Sequence, residues 1–155
     1  MSAVDVISEI VISANCKKVA EFASNPDHAT AWYVNIKSIE WLLAGQTEKI
    51  PPPMQVGSHI AFKAQFLGRQ LSYVYEITEW IPGEKFVMRT TDGPFPMETS
   101  YTWQAIDEHT TLMTLRNKGN PSGFSKLFAP FMSFMMKIAN RKDLKRLKEI
   151  LENKN

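Results

Sequence analysis

The chain has 155 residues, of which 44% are hydrophobic and 22% are charged, and its formal net charge at pH 7 is +2. This length and balance predict a single domain with a sizeable core and exclude a largely disordered chain. The small net charge argues against nucleic acid as a partner, because phosphate binding requires a concentrated basic surface.

Cysteine and histidine are scarce. The one cysteine, Cys16, cannot form an internal disulfide and is compatible with a reducing, cytoplasmic location. Because the three histidines match no common ligand spacing, we expect no metal site, and no cofactor is predicted. The charges of Lys17 and Lys18 are expected to lower the pKa of the Cys16 thiol. The first residues, MSAVDVISEIV, lack a basic segment followed by an apolar one, so we expect no signal peptide.

The first third of the chain predicts one strand and two short helices. The stretch VDVISEIVISA is rich in β-branched residues and partly alternating, which is typical of a strand. Asn15 can cap a helix over residues 17–24, because its side-chain oxygen can accept an N–H of the first turn. Asn25 can cap a second helix, with Pro26 at the first helical position.

The middle of the chain predicts strands in succession. Glycine- and proline-containing turns separate them, and the proline-rich stretch GQTEKIPPPMQVG is predicted to be a loop. Short turns between consecutive strands favour an antiparallel meander. The predicted strands cover residues 36–43, 58–67, 71–77, 85–91, 97–106 and 110–118.

The last segment, GFSKLFAPFMSFMMKIANRKDLKRLKEILENKN, predicts a helix over residues 124–152. One stripe of this helix is expected to face the sheet. Ala129 and Ser133, near the N-terminal end of this stripe, are small, so we expect the helix to leave a cavity above the sheet. The stripe consists of Ala129, Ser133, Met136, Asn140, Leu144, Leu147 and Leu151.

A second apolar stripe lies roughly opposite the first. It could pack under the early helices and the proline-rich loop, line the mouth of a cavity, or bind a partner chain or a membrane surface. Basic residues between Lys137 and Lys148 would assist peripheral contact with an anionic membrane, although they also suit a solvated helix face. The second stripe consists of Phe124, Leu127, Phe131, Phe134, Met135 and Ile138.

The element order, the turn GPFPMETSYTW, the helix entry KGNPSGF and the ending RKDLKRLKEILE resemble the START/Bet v1-like superfamily. The most similar branch is that of the polyketide cyclase/dehydrase-type proteins, and the resemblance covers nearly the whole chain. It implies one domain over residues 1–155 with an α+β helix-grip fold. In that fold a curved antiparallel sheet of about seven strands wraps around a long C-terminal helix and a cavity. Its members carry lipids, hormones or quinones, cyclise polyketides, or bind partners, and no universal catalytic residue can be carried over.

Strand alternation and the helix stripe select the residues expected to line the cavity. Their tyrosines and asparagines could orient a ligand oxygen through hydrogen bonds. Alternatively, the tyrosine hydroxyls lie at the rim and the rings are ordinary core. The candidate ligand-binding residues are Phe62, Phe66, Tyr73, Tyr75, Phe86, Met88, Tyr101, Trp103, Met113, Asn117, Met136 and Asn140.

No acid or base is expected to face inward, so no catalytic residue is predicted. Glu76, Glu98, Arg89 and Arg116 fall on the opposite face of their strands. His28 lies in the second short helix near the expected cavity mouth, where it could be a catalytic base or an ordinary loop residue.

Three functions follow from this sequence. The first is binding or carriage of a small hydrophobic or amphipathic molecule such as a lipid, quinone or polyketide-like compound. The second is a cyclase or dehydratase-type enzyme that polarises a carbonyl with a cavity tyrosine or asparagine. The third is an interaction module that contacts a protein or membrane through the C-terminal helix. An inward carboxylate or histidine would favour the enzyme, and the oligomeric state, monomer or weak dimer, is left open.

Overall fold

A computed structural model describes residues 4–42, 55–66, 68–93, 96–120 and 129–153. Strands and a long C-terminal helix make up most of this part of the chain. In chain order the elements are β1 (Val4–Ile12), α1 (Cys16–Ser24), a 3-10 turn (Pro26–His28), α2 (Ala29–Trp32), β2 (Ile36–Leu42), β3 (His59–Phe66), β4 (Arg69–Ile81), β5 (Lys85–Asp92), β6 (Met97–Asp107), β7 (Thr110–Gly119) and α3 (Ala129–Asn153).

The strands form one antiparallel sheet in the order β1-β7-β6-β5-β4-β3-β2. Consecutive strands from β2 to β7 are neighbours, which confirms the predicted meander, and β1 pairs with β7. Because β1 and β2 lie at opposite edges, the connection that carries α1 and α2 must cross the sheet. Register shifts interrupt the β2–β3, β4–β5 and β6–β7 pairings, and such irregularities bend and twist a sheet.

Asparagine caps begin the helical connection, as predicted. The Asn15 side chain accepts a hydrogen bond of 3.0 Å from the backbone N–H of Lys17 at the start of α1. The Asn25 side chain accepts one of 3.0 Å from the N–H of Asp27 in the following turn. The connection brings Trp32, at the end of α2, against the ring of Tyr101 in β6, with ring centroids 5.8 Å apart.

The predicted inner stripe of α3 is buried along its C-terminal half. Leu144, Leu147 and Leu151 share the main core cluster with residues of α1, α2 and the strands. Sequence reasoning assigned Met132 to neither stripe, but Met132 is buried in a second cluster with Val4 of β1 and neighbouring residues. The helix therefore follows the edge strand β1, with Met132 packed near its start and Lys148 donating to the carbonyl oxygen of Val11 near its end.

The second predicted stripe is only partly covered. Phe131 and Phe134 are 48% and 63% exposed, whereas Met135 and Ile138 are half-buried. The rest of this stripe, Phe124 and Leu127, lies outside the described residues, as does most of the predicted proline-rich loop. Among the described helices, none combines the length and apolarity needed to span a membrane.

Candidate functional site

A pocket with a volume of about 160 Å³ lies between α3, the α1–α2 connection and the strands β2 to β7. This is several times the roughly 30 Å³ that one water occupies in the liquid. Apolar side chains, including Ile36, Leu71 and Met97, make up much of the lining. Polar side chains interrupt it at Thr99 and at several of the predicted positions.

The structure brings most of the predicted ligand-binding residues together around this pocket. Their role in binding stays a prediction. The predicted residues that line the pocket are Phe62, Tyr73, Tyr75, Phe86, Met88, Tyr101, Asn117, Met136 and Asn140.

Trp103 and Met113 share the inward face but do not line the pocket. They are opposite each other in the β6–β7 pairing and belong to the main core cluster with Leu144 and Leu147. Both lie nearer the β6–β7 turn than the pocket residues of these strands, where helices fill the space above the sheet. The side chain of Phe66 is outside what the structure describes.

Two hydrogen-bonded groups hold the inward tyrosines. The Tyr101 hydroxyl is hydrogen-bonded to the hydroxyl of Tyr33, which follows α2. The Tyr75 hydroxyl is bonded to Thr99, and Thr99 Oγ1 donates to Asn117 Oδ1 at 2.8 Å. These hydroxyls are therefore anchored inside, not placed at the rim.

Burial also sets the charge state of the tyrosines. Desolvation raises the pKa of Tyr73 to about 12 and raises the pKa values of Tyr75 and Tyr101 further above their usual range. Their hydroxyls therefore stay protonated at neutral pH and act as neutral hydrogen-bonding groups.

Asp143 corrects the expectation that no acid faces inward. It lines the pocket, is 3% exposed, and accepts a hydrogen bond of 2.9 Å from the backbone N–H of Val34 through Oδ1. Burial raises the pKa of this carboxyl to about 7, although the Val34 N–H and the charge of Arg146 oppose the shift. The signal was present in the sequence, because Asp143 follows Asn140 by three positions and precedes Leu147 by four.

Two buried donors around the pocket have no hydrogen-bond partner among the described residues. They are Nδ2 of Asn140 and the indole Nε1 of Trp32. An unmet buried donor costs about 1–3 kcal/mol. Such groups mark positions where an acceptor on a bound molecule would be stabilising.

The charged residues expected outside are paired there. Arg89 Nη2 donates to Glu98 Oε2 at 2.9 Å, and Arg116 Nη2 donates to Asp5 Oδ2 at 2.7 Å. Within the described part of the chain, no group of three histidine, cysteine or carboxylate side chains could hold a metal ion. The strand faces therefore separate surface ion pairs from the pocket, as the alternation predicted.

The side chains of His28 and Cys16 each contact a backbone carbonyl oxygen of a neighbouring segment. His28 Nδ1 lies 3.0 Å from the carbonyl oxygen of Phe22 and its ring stacks on the Phe22 ring, with centroids 4.2 Å apart. The expectation that neighbouring lysines lower the Cys16 pKa is wrong, because burial raises it. Its Sγ lies 3.6 Å from the carbonyl oxygen of Gly83, in the turn before β5.

An antiparallel sheet of seven described strands, a long C-terminal helix and a pocket between them define an α+β helix-grip fold. The chain belongs to the family described as polyketide cyclase / dehydrase and lipid transport, whose model matches residues 3–152. No curated protein sequence matches the chain.

Solved structures confirm the fold. The Zhui aromatase/cyclase from Streptomyces sp. R1128 is 12% identical, with 96% of this chain and 93% of that chain covered and a TM-score of 0.78. TTHA0849 from Thermus thermophilus is 17% identical, with 94% of each chain covered and a TM-score of 0.77. A START superfamily protein from Mycobacterium smegmatis is 13% identical, with coverage of 97% and 99% and a TM-score of 0.76.

Proposed function

We propose that the protein binds a small hydrophobic or amphipathic molecule in the pocket beneath α3. The observation that carries this proposal is an apolar pocket of about 160 Å³ with a few polar side chains in its lining. An apolar cavity of about 150 Å³ admits benzene, so this pocket has room for at least a one-ring portion of a ligand. Apolar burial contributes about 25 cal/mol per Å², and the polar groups fix the orientation of the ligand.

The family supports this proposal because its description includes lipid transport. The pocket is also the place where the closing helix presents amide and carboxyl groups, Asn140 and Asp143, in a stripe that is otherwise leucine-rich. Unmet polar groups in a core are destabilising unless they serve a bound molecule or an ordered water. A bound molecule that hydrogen-bonds to Asn140 or Asp143 would offset the cost of burying these polar groups.

Native mass spectrometry of the purified protein tests the proposal through co-purified small molecules. Ala139→Phe adds a ring at a pocket-lining position of α3 and is expected to reduce the bound fraction. Ala105→Phe makes the same change at an exposed position of β6 and is expected to leave it unchanged. Recovery of bare wild-type protein from several hosts counts against the proposal.

A second candidate function is an enzyme of cyclase or dehydratase type, and Asp143 is the observation that favours it. A carboxyl in a ligand pocket with a pKa raised to about 7 can give or take a proton at neutral pH. In this function Tyr101 or Asn140 would polarise a ligand carbonyl while Asp143 transfers the proton. Asp143→Asn is expected to abolish turnover of a bound substrate while preserving its binding.

An interaction role for α3 stays a prediction. The exposed Phe134 and the basic residues that follow it, including Lys137 and Arg141, agree with contact to a partner or membrane surface. The pocket, however, differs from the filled core that such a module would be expected to have.

A further inference from the structure

The charges around the pocket are unbalanced. Among the described residues that line it there is one carboxyl group, Asp143, and no lysine, arginine or histidine. The charge of Arg146 acts on Asp143, but Arg146 is exposed and does not line the pocket. A carboxylate or phosphate in this pocket would therefore meet a like charge and, among the described lining residues, no counter-charge.

Hydrogen-bond donors are in excess. The Asn140 amide and the Trp32 indole are buried, and each has an N–H group without a partner among the described residues. The indole can only donate, and the unmet Asn140 atom is also a donor. A neutral carbonyl oxygen would satisfy either group without bringing a charge out of water.

Asn140 and Asp143 lie one helical turn apart on the face of α3 that lines the pocket. A ligand oxygen bonded to the Asn140 amide is consequently held on the same helix face as the Asp143 carboxyl. A ligand carboxylate or phosphate held there would lie within about one helical turn of the Asp143 carboxylate. In apolar surroundings the repulsion between these two negative charges is strong. The same geometry is neutral toward a ketone, ester or amide oxygen.

We propose that the pocket takes an uncharged apolar ligand whose carbonyl oxygen accepts a hydrogen bond from Asn140, and that Asp143 excludes carboxylate and phosphate ligands. This inference rests on the proposed binding function. It assigns Asn140 as the group that recognises the ligand oxygen and Asp143 as the group that determines specificity for charge.

Matched naphthalene probes test the proposal at pH 8, with binding followed by fluorescence titration. The probes are 2-acetylnaphthalene, which is a neutral ketone, 2-naphthoate, which has nearly the same shape and a negative charge, and naphthalene itself. In the wild-type protein the ketone is expected to bind at least tenfold more tightly than the carboxylate. Asp143→Asn is expected to reduce this difference by about threefold or more, because the repelling charge is gone, while the cost of taking the carboxylate out of water keeps part of the preference for the ketone.

Asn140→Leu separates recognition of the oxygen from apolar binding. Leucine has the same branched shape as asparagine and does not donate, so naphthalene is expected to bind this variant at least as tightly as it binds the wild-type protein. The ketone is expected to lose the advantage that it has over naphthalene, roughly five- to tenfold for one hydrogen bond.

The outcomes distinguish the inference from the function on which it rests. Equal binding of 2-naphthoate and 2-acetylnaphthalene by the wild-type protein overturns the charge selection and leaves the binding function intact. An unchanged preference for the ketone in Asn140→Leu overturns the role of Asn140. If none of the three probes binds, the proposed binding function fails together with the inference.

Discussion

The carboxyl group of Asp143, in the middle of α3, accepts a hydrogen bond of 2.9 Å from the backbone N–H of Val34, between α2 and β2. One side chain thus connects the closing helix to the segment that leads from the early helices into the edge strand. Making this hydrogen bond buries the Asp143 carboxyl and removes water from around it. The loss of water raises the pKa of the carboxyl to about 7. The connection and the proposed charge specificity of the pocket involve the same group.

Replacement of Asp143 by asparagine is predicted to change stability in a pH-dependent way. The native pKa of about 7 exceeds the ordinary value of 3.8, so the folded state binds more protons than the unfolded state between these values. The contribution of this carboxyl to stability is therefore fully present below about pH 4 and is lost as the pH rises through 7. The substituted amide would keep an oxygen acceptor for the Val34 N–H, so Asp143→Asn should raise the free energy of unfolding at pH 8 by roughly 2–4 kcal/mol.

Urea unfolding at pH 5 and pH 8 measures this effect as the difference between variant and wild type. The difference should be clearly larger at pH 8 than at pH 5, where part of it is already present because pH 5 lies above the ordinary carboxyl pKa of 3.8. Asp92→Asn, at an exposed position near the end of β5, makes the same chemical change without burial and should show no such trend. A difference that is the same at both pH values would contradict the burial of a titrating carboxyl.

The inner stripe of α3 predicts a second stability effect. Leu147 is fully buried in the main core cluster, so Leu147→Ala should lower the free energy of unfolding by about 2–5 kcal/mol. Lys145→Ala, at an exposed position two residues away, should change it by less than about 0.5 kcal/mol. Denaturant titration monitored by circular dichroism checks both, and a loss below about 1 kcal/mol for Leu147→Ala would show that this face does not pack on the core.

The helices and strands could be predicted because their signals are local, whereas the helix-grip arrangement was implied by the family resemblance. Alternation along β7, the Asn15 cap and the leucine stripe of α3 each follow from the residues within one element. Asp143 was missed for a different reason. It lies on the same face as Leu144 and Leu147, but it stands in a run of charged residues, and charge was taken as evidence of exposure. Its position on the inner face of α3 buries Asp143. The hydrogen bond from the Val34 N–H partly replaces the water that the carboxyl loses.

The candidate site could be predicted only as a face of the sheet. Alternation placed Tyr101 and Trp103 together on the inward side of β6, and both are buried. Whether an inward residue lines a pocket or fills the core depends on where the helices lie along the strand. That arrangement is set by packing between elements distant in the sequence, such as the contact of Trp32 with Tyr101. The alternation of residues within one strand contains no information about it.

The hydrogen bond between Thr99 and Asn117 supports a third prediction. Thr99 Oγ1, in β6, donates to Asn117 Oδ1, in β7, at 2.8 Å inside the sheet face that lines the pocket. Thr99→Val keeps the shape and removes the donor, which leaves a buried amide oxygen unmet and should cost about 1–3 kcal/mol of stability.

Thr102→Val provides the matched control for this change. Thr102 is an exposed threonine of the same strand, so the same substitution there should change stability by less than about 0.5 kcal/mol. Thermal unfolding of both variants measures the comparison. Equal stability of Thr99→Val and Thr102→Val would show that the Thr99 hydrogen bond contributes nothing net.

The hydroxyl pair formed by Tyr101 and Tyr33 separates binding from catalysis. Tyr101→Phe keeps the ring, which lies 5.7 Å from the Phe86 ring and 5.8 Å from that of Trp32, and removes only the hydroxyl. If the protein only carries a ligand, this variant should bind it with an affinity within about fivefold of wild type, since one neutral hydrogen bond is worth about 1 kcal/mol. If Tyr101 polarises a carbonyl during turnover, the rate constant of the chemical step should fall by roughly 10²–10³, the usual loss for one donor to a developing oxyanion.

Tyr33→Phe and the double variant decide whether the two hydroxyls act as a unit. The Tyr33 hydroxyl is bonded to that of Tyr101, so its removal should weaken the orientation of the Tyr101 donor, and the two losses should not add in the double variant. Single-turnover kinetics on a substrate shown to bind, together with its dissociation constant, gives both quantities for each protein. Unchanged turnover in Tyr101→Phe would remove this hydroxyl from any mechanism, and strictly additive losses would show that the two tyrosines act separately.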